Sequence, residues 1–135
     1  MIVAKYKFNP NTYANLLPEF NSEFTNYTKS DISNDDGTIT RTIESDNLPT
    51  LMRFGQEHVD GENGATNKSK SLLEVLDMNT SNLESMYSMF RYCINLTNIT
   101  CDWNTSKVIN MTSMFSFCSS LTQLDVSNWD ISNIT

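Results

Sequence analysis

The sequence has few of the groups that would point to a particular chemistry. Its 135 residues include one histidine and three cysteines, and 9 basic residues stand against 16 acidic ones, which leaves a formal charge of −7. A protein that binds the nucleic acid backbone needs clustered lysine and arginine to displace counterions, so we expect no nucleic acid partner. No apolar run approaches the roughly 18 residues of a membrane span, and the N-terminus lacks a basic segment followed by an apolar one. We therefore expect neither membrane insertion nor Sec export.

The residues that could support catalysis or metal binding are isolated from one another. Cys93, Cys101 and Cys118 form no Cys-x-x-Cys pair and are interpreted as small core residues, with a disulfide between Cys93 and Cys118 as the alternative. His58 has no nucleophile motif nearby and is interpreted as a solvated loop residue. The acidic cluster that ends at Asp36 lacks the spacing of a calcium-binding hand loop, so a hairpin turn is favoured. We predict no catalytic residue, no metal and no cofactor.

Uncharged polar residues are abundant instead. Asn, Ser and Thr recur along the whole chain, a composition typical of turns and caps. Within residues 1–55, alternation over positions 2–8 predicts a strand, and Asp-Gly at 36–37 between two Thr- and Ile-containing runs predicts a hairpin. Positions 51–54 predict a further strand, and positions 9–17 predict a helix of about two turns. A polar stretch without periodicity, residues 56–71, is interpreted as a linker.

The second half of the sequence is repetitive. Residues 76–100 and 101–125 share 11 identities in 25 positions, far above chance, and a third, partial copy begins at Val126. In the second copy Met111, Met114, Phe115 and Cys118 recur at i, i+3, i+4 and i+7, which predicts a short amphipathic helix.

The apolar residues that follow this pattern, at 121, 124 and 126, predict a very short strand. Units this small bury a core only by stacking on one another. The predicted repeat core comprises Met86, Met89, Phe90, Cys93, Leu96, Met111, Met114, Phe115, Cys118, Leu121 and Leu124.

The residues from Trp103 to Trp129 resemble the BspA-type leucine-rich repeat of bacterial surface proteins. The resemblance rests on Asn-Thr-Ser at 104–106, Met-x-x-Met-Phe-x-x-Cys at 111–118 and Leu-x-x-Leu-Asp-Val-Ser at 121–127, all in register. It covers about residues 72–135 and departs from the pattern at Glu74, which suggests a capping or junction unit. It implies a solenoid of short strands and helices in an extracellular, bacterial-surface or phage-borne binding protein. Residues 1–55, with Leu48-Pro49 and Arg53-Phe54-Gly55 ahead of such repeats, are similar to structural proteins of prophages in low-GC bacteria.

Together these observations predict an α+β protein with three parts: a β-rich domain at residues 1–55, a linker at 56–71, and a leucine-rich-repeat solenoid at 72–135. The expected function is a non-enzymatic binding or structural module of a phage tail, baseplate or fibre that attaches to a host surface through its repeats. The alternatives are a bacterial cell-surface adhesin fragment and a purely architectural virion protein. The expected partners are a host cell-surface protein or glycan, or other virion proteins, with residues 1–55 supporting self-association. The expected location is the virion or the bacterial extracellular surface.

The candidate ligand surface is the outer side of the predicted repeat strands, formed by Thr100, Asp102, Asp125 and Ser127. A glycan hydrolase needs two facing carboxylates, and Asp102 and Asp125 would have to serve in that role. We disfavour this alternative because neighbouring repeats place the two on an open, solvated surface. Alternation favours partial burial of Trp103 and Trp129 rather than display of both rings to a sugar.

Overall fold

The computed structural model describes residues 1–57 and 64–134. His58, interpreted above as a loop residue, lies outside the described residues. The described elements in chain order are β1 (Ile2–Phe8), β2 (Glu19–Phe20), β3 (Thr28–Ser33), β4 (Ile39–Glu44), β5 (Met52–Arg53), α1 (Asn67–Ser71), β6 (Leu72–Met78) and β7 (Asn98–Ile99).

A mixed five-stranded sheet organises the described residues, in the order β3-β4-β1-β6-β7. β1 is central and pairs antiparallel with β4 and β6, while β7 pairs parallel with β6. The strand predicted at positions 2–8 is confirmed, with Ala4, Tyr6 and Phe8 fully buried. A separate two-stranded sheet joins β2 to β5, which confirms a strand within positions 51–54.

The predicted hairpin is confirmed by the antiparallel pairing of β3 with β4. Gly37 lies at the turn with φ of +85°, a backbone conformation that glycine adopts without a steric penalty. The Asp36 carboxylate accepts a hydrogen bond from the Thr38 amide at 3.1 Å and pairs with the Lys7 ammonium at 3.2 Å. These contacts lower the pKa of Asp36 to about 2, the hydroxyl and amide of Thr38 contributing most. The acidic cluster therefore includes a hairpin turn, as favoured over a calcium loop.

The helix predicted at positions 9–17 is wrong. The amides of Thr12 and Tyr13 both donate to the Asn9 carbonyl, at 3.2 Å each, and the chain then continues through further turns. Tyr13 is exposed rather than buried, so the apolar spacing of this segment is not that of one helical face. Leu16 is anchored separately, because its carbonyl accepts a hydrogen bond from the Tyr6 hydroxyl.

The α+β solenoid prediction is also wrong, because neither described repeat contains a helix. The chain makes consecutive β-turns instead: the Met89 amide donates to the Met86 carbonyl at 3.2 Å, and the Cys93 amide donates to the Phe90 carbonyl at 3.0 Å. The first and last residues of each turn face the core, so adjoining turns produce the spacing i, i+3, i+4, i+7 that also typifies a helix. Four residues with positive φ prevent helix formation, at equivalent positions of the two repeats: Ser88, Tyr92, Ser113 and Phe117. The protein is a small β-rich fold with α1 as its only described helix.

Successive repeats are held together by backbone hydrogen bonds between equivalent turns. The amides of Met86, Ser88, Phe90 and Tyr92 donate to the carbonyls of residues 110, 112, 114 and 116, at 2.8 to 2.9 Å. On the other side of the first repeat, the amides of residues 54–56 donate to the carbonyls of Met89 and Arg91. The N-terminal part therefore covers one side of the first repeat, and the second repeat covers the other.

The aromatic core follows the same stacking. The rings of Phe54, Phe90 and Phe115 are nearly parallel, with centroids 5.9 and 5.8 Å apart along the series. Tyr6 meets Phe54 edge to face at 4.8 Å, which joins the central sheet to the repeats. The division of the chain at residues 55 and 72 stays a prediction, and β1 and β6 are hydrogen-bonded neighbours across it.

Candidate binding surface

A shallow depression lies where the start of β1, the end of β6 and the beginning of the second repeat meet. It is lined by Met1, Ile2, Asp77, Met78, Asn79, Ser81, Asp102 and Asn104. Asp77 and Asp102 occupy the same position in successive repeats, as do Asn79 and Asn104. The stacking of two repeats with matching Asp and Asn positions therefore places two carboxylates and two amides around one concave surface.

The amide side chains in this depression hold turns. The Asn79 side-chain oxygen accepts hydrogen bonds from the Ser81 amide at 3.1 Å and from the Ser81 hydroxyl at 2.7 Å. Asn104 binds Ser106 in the same way, at 3.2 and 2.7 Å. Asn favours such turns because its side chain accepts a hydrogen bond from the backbone two residues on. The two turns hold the backbone that lines the depression.

The carboxylates of Asp77 and Asp102, unlike the Asn side chains, do not hold a turn. Both residues are exposed, and neither carboxylate makes a hydrogen bond or an ion pair to another described residue. Burial raises the pKa of the neighbouring Cys101 thiol to about 12, and the charges of Asp77 and Asp102 add to that increase. The depression therefore holds two carboxylates whose oxygens can accept from an ammonium, guanidinium or hydroxyl donor.

The four ligand-surface residues expected from the sequence are all exposed, and the two carboxylates among them line different depressions. Asp102 lines the depression, whereas Asp125 lines a second, more open one beside β7. The Asp125 carboxylate accepts the Ser127 amide at 2.9 Å, and this contact with Ser127 lowers the pKa of Asp125. Thr100 accepts a hydrogen bond from the Asn98 side chain at 3.2 Å. The carboxylates considered for a hydrolase thus line separate depressions.

The expected core residues differ in burial between the two repeats. Met86, Met89, Phe90, Cys93 and Leu96 of the first repeat are fully buried. In the second repeat only one equivalent residue is buried, Met114, and the others are half-buried: Met111, Phe115, Cys118, Leu121 and Leu124. The difference arises because the first repeat is covered on both sides, whereas the second is covered by the first on one side and only in part by residues 129–134 on the other.

The cysteines and tryptophans sit mainly in this apolar interior. All three cysteines are free thiols, and burial raises the pKa of Cys93 well above its usual value and that of Cys118 to about 11.

Trp103 and Trp129 are half-buried, as expected, and meet edge to face at 4.9 Å. Within the described ranges no three His, Cys, Asp or Glu side chains are grouped to hold a metal ion.

Sequence reasoning missed Asp77 and the buried threonines. Asp77 is identical to Asp102 at one repeat's distance, and that identity was the available signal. Thr80 and Thr105 are almost fully buried, and each hydroxyl bonds both the amide and the carbonyl of one residue in the next repeat, Asn104 and Asp130 respectively. Their identity across repeats was visible, but their burial was not.

Comparison with known proteins yields one family. The family model described as Mycoplasma protein of unknown function, DUF285, matches residues 63–135, a little over half of the chain. No curated protein and no solved structure gives a match. The described part of the chain contains no helix long and apolar enough to span a membrane.

Proposed function

The chain belongs to the family described as Mycoplasma protein of unknown function, DUF285, and we propose that it is a non-enzymatic binding module that attaches to a cell-surface partner through the outer side of its repeats. The family description names no activity, so support comes from the residues themselves. The observation behind the proposal is the pair of exposed carboxylates, Asp77 and Asp102, that repeat stacking brings to one depression.

The chemistry of the depression suits a partner that donates hydrogen bonds. Two carboxylates accept strongly from ammonium or guanidinium groups and from hydroxyls, and hydrogen bonds to charged groups are stronger than neutral ones. A host cell-surface glycan or a basic segment of a host cell-surface protein supplies such donors. Because the depression is shallow, each contact is modest, and display of several copies would strengthen attachment.

The setting of the module is the second part of the proposal. The likeness of the repeat to BspA-type repeats supports a place on the bacterial surface or on a virion, where a binding face meets other cells. In both settings the protein should bind intact cells. A purely architectural virion component should not, so cell binding separates the attachment function from that alternative.

The test is the binding of fluorescently labelled chain to intact bacterial cells, measured by flow cytometry against concentration. The double variant Asp77→Asn, Asp102→Asn removes two charge-assisted acceptors, and we expect it to weaken binding about tenfold. The matched control Asp35→Asn, Asp46→Asn removes the same charge from exposed positions outside the depression and should bind like the parent chain.

Two results would count against the proposal. Absence of saturable binding to any cell type tested would refute attachment. Equal weakening by both double variants would show that net charge, not the depression, governs binding.

A further inference from the structure

The strand β3 has one side without a partner strand among the described residues. It lies at one end of the five-stranded sheet and pairs there with β4 alone. All six of its residues are exposed. An exposed strand edge presents backbone groups on which another strand can pair. We call this side the β3 edge.

The hairpin shows which backbone groups belong to the β3 edge. The Asn34 amide donates to the Thr38 carbonyl at 2.9 Å, at the point where β3 and β4 meet. In an antiparallel pair, successive residues direct their amide and carbonyl alternately toward the partner strand and away from it. The groups of residues 28, 30 and 32 therefore face β4, and those of Lys29, Asp31 and Ser33 form the β3 edge. This edge offers donors and acceptors together, as an antiparallel partner strand requires.

The two charged residues of the β3 edge have opposite sign. Lys29 and Asp31 are two positions apart in a strand, so their side chains point to the same face of the sheet. The Arg41 guanidinium donates to both oxygens of the Asp31 carboxylate, at 2.7 and 2.8 Å, and so holds it in position. A carboxylate has about four acceptor sites, so Asp31 can accept a further hydrogen bond. The Lys29 ammonium makes a long bond of 3.4 Å to the Asn15 side chain, which leaves it exposed.

A second copy of β3 fits this pattern in one register. In an antiparallel pair with a two-fold axis at Ser30, Lys29 of each copy lies opposite Asp31 of the other, so the ion pair forms twice. An axis at residue 29 or 31 would instead place two lysines or two aspartates opposite each other, which is destabilising. The axis at Ser30 also places Ile32, which is 65% exposed, opposite Thr28 of the other copy.

We propose that the chain forms a symmetric dimer through antiparallel pairing of β3 with β3 of a second copy, centred on Ser30. Lys29 and Asp31 exchange main-chain hydrogen bonds as well as charge, and the sheets of the two copies become continuous. Pairing of one short strand lies at the small end of interface sizes, so we expect a weak dimer with a dissociation constant of about 0.1 mM. No residue of β3 lines the depression of the proposed function, so either proposal can fail alone.

The first experiment measures the mass of the full chain by sedimentation equilibrium, at concentrations well below and well above about 0.1 mM. The average mass should rise from 15.4 kDa toward twice that value. Lys29→Glu replaces both ion pairs by pairs of like charge and should weaken association about tenfold or more. The matched control is Lys107→Glu, because Lys107 is also exposed and also bonds an asparagine side chain, at 3.2 Å. It should associate like the parent chain.

The second experiment tests the register by disulfide cross-linking with oxidised glutathione. Opposite residues that are not hydrogen-bonded to each other have Cα atoms about 4.5 Å apart, within the range of a disulfide. Ser30→Cys should therefore cross-link two copies readily. In Ile32→Cys the two new thiols are on residues about 14 Å apart, so cross-linking should be at least about tenfold slower. The parent chain, whose three thiols are buried or half-buried, gives the background rate.

Three results would overturn the inference. A mass of 15.4 kDa at every concentration would exclude the dimer and leave a different polypeptide as the partner of the β3 edge. Equal association of the two lysine variants would show that Lys29 is not at the interface. Cross-linking of Ile32→Cys as fast as that of Ser30→Cys would exclude the register centred on Ser30.

Discussion

Replacing Thr80 by valine tests the physical basis of repeat stacking. Thr80 is 1% exposed, and its hydroxyl donates to the Asn104 carbonyl at 3.1 Å and accepts the Asn104 amide at 2.8 Å. Valine keeps the shape of the side chain, so it leaves no cavity, but it can form neither hydrogen bond. The change therefore isolates the polar contact between the first and second repeats.

The expected loss in the free energy of unfolding follows from these two bonds. A hydrogen bond contributes about 1 kcal/mol net, and a buried partner left unpaired costs about 1 to 3 kcal/mol. The backbone groups of Asn104 are only partly buried, so water replaces some of what is lost. We expect Thr80→Val to lower the free energy of unfolding by about 2 kcal/mol.

The assay is urea unfolding monitored by tryptophan fluorescence, since Trp103 and Trp129 both lie within the repeats. The control is Thr97→Val, because Thr97 is exposed and its hydroxyl makes one long bond of 3.3 Å to the Leu73 carbonyl. That change should cost less than about 0.5 kcal/mol. Equal losses for the two variants would refute the conclusion that the buried hydroxyl fastens one repeat to the next.

Three further changes test other features of the fold, each by the same unfolding measurement. Gly55→Ala should destabilise by about 2 kcal/mol or more, because an added Cβ would lie 2.2 Å from the Arg91 amide nitrogen; a loss below about 0.5 kcal/mol would contradict that close approach. Ser88→Gly should stabilise by about 1 kcal/mol, because Ser88 has φ of +54° and a buried hydroxyl without a hydrogen-bond partner among the described residues; a loss of stability would show that the hydroxyl is satisfied. The hydrogen bond from Arg41 lowers the pKa of Asp31 in the folded chain, so the ionised carboxylate stabilises the fold above pH about 4 and this stabilisation is lost as the pH falls through the folded-state pKa. Asp31→Asn should flatten the acid dependence of the free energy of unfolding, and an unchanged dependence would contradict this role of Asp31.

The β-hairpin was predictable because its signal is local. Asp36 and Gly37 favour a turn with positive φ whatever surrounds them, and a short turn brings the two flanking runs side by side. The strand β1 was predictable for a similar reason, since a period of two is distinctive over seven residues. The antiparallel pairing of β1 with β6 links distant parts of the chain, and no local pattern specifies it.

The helix prediction for the repeats failed because two structures share one apolar spacing. Consecutive four-residue turns place Met86, Met89, Phe90 and Cys93 inward with the same intervals as a helical face. The discriminating feature is the backbone at Ser88, where φ is +54°, and serine gives little warning of it. Hydrogen bonds to the neighbouring repeat compensate for the strain, so the tertiary context decides the local conformation.

The candidate site shows what repetition can reveal about a surface. A residue can be the same at equivalent positions of two successive repeats for either of two reasons. Its side chain can hold the repeats together, or the two copies can form one exposed surface. Thr80 is the first kind, since it is buried and bonded to the next repeat. Asp77 is the second kind, since it is exposed and its carboxylate makes no hydrogen bond or ion pair to a described residue. The two are three positions apart in the same repeat, and the sequence marks both in the same way. Burial separates them, and burial depends on how the first repeat lies against β1.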